Sequence, residues 1–216
     1  SDVCSSDLGH PVLEWELDDA IDHGAEFVRW EIATAIAGVA LRINPFDEPN
    51  VTESKQNTAA VLKELATIGS LPHLAAKVSG NGVALWVDDA LPGAFADSIP
   101  RLIAGQLDRL SARGYIGIHA YVAATPQRTE ALTSLRTILR DATKRATTVG
   151  YGPRFLHSTG QLHKGGAPIG WFLQIVAGRA PDTAIPGAAY TFGELIDAQA
   201  DRKSTRLNSS HVKRSR

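Results

Sequence analysis

The spacing of apolar residues along this chain changes period several times, and each change predicts an element. Between Glu26 and Leu41, Phe27, Trp30, Ile32, Ala35, Ile36, Val39 and Ala40 leave little polar surface. That pattern predicts a helix over Ala25–Leu41, buried on most sides. From Val51 to Ile68 the apolar residues Val61, Leu62 and Leu65 fall on one side, which predicts an amphipathic helix. Two further helices are predicted. Ala96–Ala112 carries Ile99, Leu102, Ile103, Leu107 and Leu110, with Gly114 as the glycine that closes it. Thr129–Arg145 carries Leu132, Leu135, Ile138 and Leu139. Short apolar or alternating runs predict strands at Pro11–Leu17, Val83–Val87, Tyr115–Val122, Arg154–His157 and Trp171–Val176. Ser79-Gly-Asn-Gly82 reads as a turn, without the spacing of a phosphate-binding loop.

Strands separated by helices of this length imply β-α-β units. The expected fold class is α/β, a three-layer αβα sandwich with a mainly parallel sheet. The continuous apolar runs Val83–Val87 and Trp171–Val176 suit strands covered on both faces.

The segment from Ile43 to Lys55, INPFDEPNVTESK, joins the first two helices. Pro45 and Pro49 interrupt helix there. Asn50 suits an N-cap, and Glu53 three residues later completes a capping-box pattern. Lys55 then stands in the opening turns of the second helix. A cation there opposes the helix dipole, whereas the same place suits an anionic ligand. Spacing alone would make Lys55 an ordinary surface lysine. A second segment, Gly150 to Gly166, reads GYGPRFLHSTGQLHKGG and is rich in glycine, histidine and polar residues. His157 within it has the reference pKa for proton transfer in both directions near neutrality. From the residues alone, a histidine that merely ends a strand is the competing reading. His10, His23, His73 and His119 show no ligand spacing; His119, inside an apolar strand, reads as a core or strand-end residue.

The two ends differ in character from the rest. Residues 1–8, SDVCSSDL, have no hydrophobic period, and residues 201–216, DRKSTRLNSSHVKRSR, are polar and basic. Each resembles a translated strand of a common sequencing adaptor, so a non-native head, a native body over 9–200 and a non-native tail are expected. The head carries −2 and the tail +5, so the chain's net −1 leaves −4 on the body. A mildly acidic body gives no electrostatic footprint for nucleic acid. The single cysteine, Cys4, lies in the head, which leaves the body without disulfides, thiolate metal ligands or a cysteine nucleophile. No stretch reads as a membrane span or secretory signal, so a cytoplasmic protein without membrane or nucleic-acid partners is expected.

The run INPFDEPNVTESK, together with Phe27-Val-Arg-Trp-Glu31 before it and the His157 segment after it, resembles the C-terminal part of glucose-6-phosphate isomerases. The resemblance is closest to the isomerase half of bifunctional transaldolase/glucose-6-phosphate isomerases, and runs from Gly9 to Ala200. It implies a SIS-like (Rossmann-like) domain, incomplete here, that needs no cofactor and no metal. It implies Lys55 and His157 as catalytic residues: His157 assists ring opening, and Lys55 places a cation near the sugar's oxygens. It implies Glu48 and Gln161 as substrate contacts and His163 and Lys164 as contacts to the sugar or the partner subunit; Arg154, read from the residues alone, is a candidate anion partner in substrate binding. Glu48 replaces the family's usual glutamine, and Thr52 its frequent glutamate. It also implies a sugar-phosphate substrate, a homodimer and a missing N-terminal part of the parent chain.

Aldose–ketose isomerisation needs ring opening, a base moving a proton between C1 and C2, a charge to hold the enediolate, and a phosphate site. The family's E-S-x-G-K motif, which carries the base, and its S-x-T-x-T phosphate loop are not present in this sequence. The chain therefore carries two of the four functions, and no turnover is expected of it alone. A non-catalytic sugar-phosphate-binding domain of the same SIS type is the alternative reading.

Overall fold

The computed structural model describes residues 14, 16–47, 49–68, 76, 78–87, 97–178, 181–204 and 211–215. The chain divides into two compact units, Ser1–Thr52 and Glu53–Arg216.

In the first unit, α1 spans Asp22–Leu41. It ends where Arg42 turns left-handed (φ 56°, ψ 42°), and the amide of Ile43 donates to the Gly38 carbonyl at 3.0 Å. Asn44 then organises the turn: its Oδ1 accepts from the Phe46 amide at 3.1 Å, and its Nδ2 donates to Asp47 Oδ1 at 2.8 Å. Pro45 folds onto Gly38, where an added Cβ would lie 2.6 Å from the proline ring. The helix is where the sequence predicts it, but it is not buried. Phe27 is 69% exposed, Trp30 58% and Val39 80%, and of the helix only Gly38 is buried. The unit contains too little chain to cover a helix that is apolar around most of its circumference. Of the predicted strand Pro11–Leu17, Glu14, Glu16 and Leu17 have no regular structure, and Pro11–Leu13 and Trp15 lie outside the described residues.

The second unit holds most of α2 (Pro49–Ile68) and a six-stranded sheet. The strands are β1 (Val78–Gly80), β2 (Val83–Val87), β3 (Tyr115–Tyr121), β4 (Thr147–Tyr151), β5 (Gly170–Val176) and β6 (His211–Ser215), in the order β1-β2-β6-β5-β3-β4. β4, β3, β5 and β6 run parallel. β2 is antiparallel to β6 and β1 to β2. The expected α/β sandwich with a mainly parallel sheet is thus present, and Val83–Val87, Tyr115–Tyr121 and Gly170–Val176 share one sheet, although β2 runs against the others. The turn at Ser79–Gly82 is a tight hairpin, with Asn81 and Gly82 both left-handed (φ 52° and 72°), as a two-residue connection between twisted strands requires.

The strand register divides the side chains of the sheet. Ile116, Ile118 and Ala120 alternate to one face, in rows with Trp171, Leu173 and Ile175 of β5. They join Leu85 of β2, Leu102 of α3 (Ile99–Leu107), and Leu132 and Leu139 of α4 (Pro126–Thr143) in the main core. Burial of a residue such as Leu102, Ile116 or Ile118, each 0% exposed, contributes about 1.5–3 kcal/mol. Gly117, His119 and Tyr121 alternate to the other face, in rows with Phe172, Gln174 and Val176. That face meets a 3-10 turn (Arg154–His157), α5 (Gly160–Gly165) and α6 (Phe192–Ser204). Among the described residues no helix is long and apolar enough to cross a membrane.

Three elements differ from the sequence reading. Arg154–His157 is a 3-10 turn rather than a strand, because Pro153 (φ −82°, ψ 0°) turns the chain before it. The strand there is the earlier β-branched run Thr147-Thr-Val149 with Gly150-Tyr151, which was not predicted. α3 stops at Leu107, with Asp108 still right-handed, so Gly114 does not close it. Gly114 instead permits close packing: a Cβ there would sit 2.8 Å from the Ile169 carbonyl oxygen. Of residues 201–216, those at 205–210 and 216 lie outside the described residues. Asp201–Ser204 complete α6, and β6 is hydrogen-bonded between β2 and β5. The open edges of those two strands offer rows of unpaired amides and carbonyls that an extended segment can bridge, whatever its polarity.

Candidate functional site

The second face of the sheet carries a closed layer of rings. Its floor is set by glycines on two neighbouring strands. Gly150 of β4 is the register partner of His119, and Gly117 of β3 that of Phe172. At Gly150 an added Cβ would meet Phe155 Cβ at 2.6 Å, and at Gly117 it would meet Phe172 Cδ1 at 2.7 Å. Both glycines therefore let a ring lie flat on the sheet. His119 stacks on Phe155 (centroids 4.0 Å, planes 12° apart) and on Phe172 (5.2 Å, 25°). His163 of α5 tilts against His119 at 4.9 Å and meets Phe172 edge-on at 4.9 Å.

His163 is 2% exposed. Its Nδ1 shares a hydrogen bond with the Tyr115 hydroxyl at 3.0 Å, while Nε2 has no hydrogen-bond partner among the described residues. Burial lowers the pKa of this imidazole to about 4. It is therefore neutral near pH 7, since nothing compensates the charged form for lost water. Burial likewise raises the Tyr115 and Tyr121 hydroxyls above the usual tyrosine range. Gln174, beside His119 in the register, donates from Nε2 to the Ala200 carbonyl at 2.9 Å and ties β5 to α6.

α6 itself begins in a polar knot. Thr191 and Glu194 form a capping box: the Thr191 amide donates to Glu194 Oε2 at 2.7 Å, and the Glu194 amide to Thr191 Oγ1 at 3.1 Å. Asp182 adds a second cap, accepting from the Gly193 amide at 2.8 Å and from Thr191 Oγ1 at 2.6 Å.

The glycine- and histidine-rich segment lies directly after β4, at the carboxyl end of the parallel strands. The Phe155 carbonyl holds its bend, accepting from the Ser158 amide at 3.1 Å and from the Thr159 amide at 3.0 Å. The ring of Phe155 is buried under this bend, whereas Arg154 and His157 are exposed. Gln161 and Lys164 in α5 are half-buried, and partial burial lowers the Lys164 pKa. The segment is thus anchored through Phe155 and His163 and presents His157 outward, at the sheet edge where open α/β folds bind ligands.

His163, implied as a substrate contact, is buried beside Tyr115, His119 and Phe172. Lys55 is helical, in α2 as predicted, but its side chain lies outside the described residues, as does all of Glu48. The ring layer of Tyr115, His119, Phe155 and Phe172 gave no functional signal in the sequence beyond the reading of His119 as a core residue. Its signal is the set of glycines opposite bulky rings, which only register reveals. Among the described residues no three His, Cys, Asp or Glu side chains are grouped to hold a metal ion.

No family model matches this chain, and no curated protein matches it. It is similar to a solved structure, the crystal structure of a hypothetical protein, TT0462, from Thermus thermophilus, at 13% identity and a TM-score of 0.45. The match covers 53% of this chain, which spans 33% of that one.

Proposed function

We propose that this chain is the C-terminal part of a glucose-6-phosphate isomerase, related to the isomerase half of bifunctional transaldolase/glucose-6-phosphate isomerases. The reading rests on the run INPFDEPNVTESK ending in Lys55, combined with the segment HSTGQLHKGG that begins at His157. The exposure of His157 at the carboxyl edge of the parallel strands supports it.

In this reading His157 moves a proton to and from the ring oxygen of glucose 6-phosphate, and the Lys55 ammonium stabilises charge on the opening ring. Arg154, Gln161 and Lys164 line the approach, with Glu48 as an acceptor for sugar hydroxyls. The proton then passes between C1 and C2 through an enediolate, on a base supplied by the rest of the parent, which also binds the phosphate. The parent works as a homodimer. The test is solvent exchange: the parent enzyme in D2O should place deuterium at C1 of the fructose 6-phosphate that it forms from glucose 6-phosphate. Absence of both exchange and ketose would overturn the assignment.

A further inference from the structure

His157 stands between two buried anchors. Phe155, two residues before it, stacks on the His119 ring at 4.0 Å, and His163, six residues after it, tilts against the same ring at 4.9 Å. The chain around His157 is a single 3-10 turn, Arg154–His157, followed by the six-residue α5, Gly160–Gly165. Helical pieces this short have little stability of their own, so their place in the fold is set by what pins them. Internal bonds join them into one piece. The Phe155 carbonyl accepts from the Ser158 and Thr159 amides at 3.1 and 3.0 Å, and the Thr159 carbonyl from the His163 amide at 3.1 Å. The main chain at His157 therefore moves only as far as the two anchors allow.

The anchors differ in kind. Phe155 is apolar, and packing holds its ring. His163 is a polar ring, 2% exposed, whose Nε2 has no hydrogen-bond partner among the described residues. Burying an unpaired ring nitrogen costs stability, and an apolar side chain would fill the same space without that cost. What the imidazole adds is a directed bond, Nδ1 to the Tyr115 hydroxyl of β3 at 3.0 Å. A hydrogen bond fixes distance and direction, which apolar contact does not.

We propose that His163, through its bond to Tyr115, is a positioning residue that fixes the place of His157 at the sheet edge. The proposal rests on the reading of His157 as the group that opens the sugar ring. Proton transfer needs the two heavy atoms about 2.6–3.2 Å apart, and a misplacement of about 1 Å costs roughly 100-fold in rate. A ring-opening histidine on a short turn therefore needs a mount of defined geometry, and the Tyr115–His163 bond supplies it.

The test is a double-mutant cycle on kcat for glucose 6-phosphate isomerisation in the full-length parent. Tyr115→Phe removes one oxygen and keeps both rings. It should lower kcat by roughly 10- to 100-fold with KM little changed. His163→Leu should do the same, and His163→Gln, which keeps a hydrogen-bonding group, should lose less. In a His157→Ala background Tyr115→Phe should lower kcat no further, because it acts only through His157. Asp182→Ala, a lost cap at the start of α6, should leave kcat unchanged. In the 216-residue chain, Tyr115→Phe should also speed hydrogen exchange at the Ser158, Thr159 and His163 amides. An unchanged kcat in Tyr115→Phe, an equal loss with and without His157, or unchanged exchange at these amides would overturn the proposal. A loss confined to KM would also overturn it and mark His163 as a substrate contact. If His157→Ala itself leaves kcat unchanged, the isomerase reading fails, and the proposal with it.

Discussion

The Tyr115 hydroxyl, at the first residue of β3, lies 3.0 Å from Nδ1 of His163, and the two rings stack with centroids 5.6 Å apart. This bond fastens α5 to the sheet. α5 follows directly on the turn that carries His157, so a buried, neutral histidine anchors the segment that presents an exposed one.

That arrangement predicts a pH dependence of stability. In the unfolded chain the His163 imidazole has its ordinary pKa of 6.5, and in the fold about 4. Between those values the unfolded state binds the extra proton. Stability therefore rises with pH across this window and is lost as pH falls from about 6.5 towards 4. In His163→Gln the fall in urea midpoint between pH 7 and pH 5 should be smaller than in the wild type. An equal fall would show that burying the neutral imidazole contributes nothing to acid sensitivity.

The glycine floor predicts a specific coupling. Gly150→Ala places a methyl group 2.6 Å from Phe155 Cβ and should cost about 1–3 kcal/mol, as overpacking does. Most of that cost should vanish in a Phe155→Gly background, because the Cβ it meets is gone. Additive losses in a double-mutant cycle would show that Gly150 serves some other constraint.

Asp182 predicts a capping effect from outside the helix. Asp182→Ala removes the acceptor for the Gly193 amide and for Thr191 Oγ1, and should lower stability by about 1 kcal/mol, in the usual range for a lost helix cap. Asp182→Asn, which keeps one oxygen, should lose less. Urea midpoints of the two variants decide this.

The legible part of this fold was the part written in periodicity. The leucine spacing of α4, the recurring apolar residues Ile116, Ile118 and Tyr121 of β3 and the largely apolar run of β5 marked their elements directly, because each packs on the core. β4 was hidden because its register partner for His119 is a glycine, there to admit Phe155 rather than to contribute an apolar side chain. Arg154–His157 misled for the opposite reason: Phe155 and Leu156 look like strand, but Pro153 had already turned the chain. α1 was legible as a helix but not in its burial, since apolar composition states a need for cover without stating who supplies it. At the candidate site, His157 and Lys164 are chemically conspicuous in sequence. The enclosure of His163 is a tertiary fact, made by Tyr115 and Phe172 from other strands.

The central claim, that His157 and Lys55 do chemistry on one sugar phosphate, is tested most directly by steady-state kinetics of glucose 6-phosphate isomerisation in the full-length parent. His157→Ala and Lys55→Ala should each lower kcat by about 10²–10⁴-fold, the usual worth of a positioned acid–base group, with little change in KM. An unchanged kcat, or a loss confined to KM, would contradict the account and leave both as binding or surface residues.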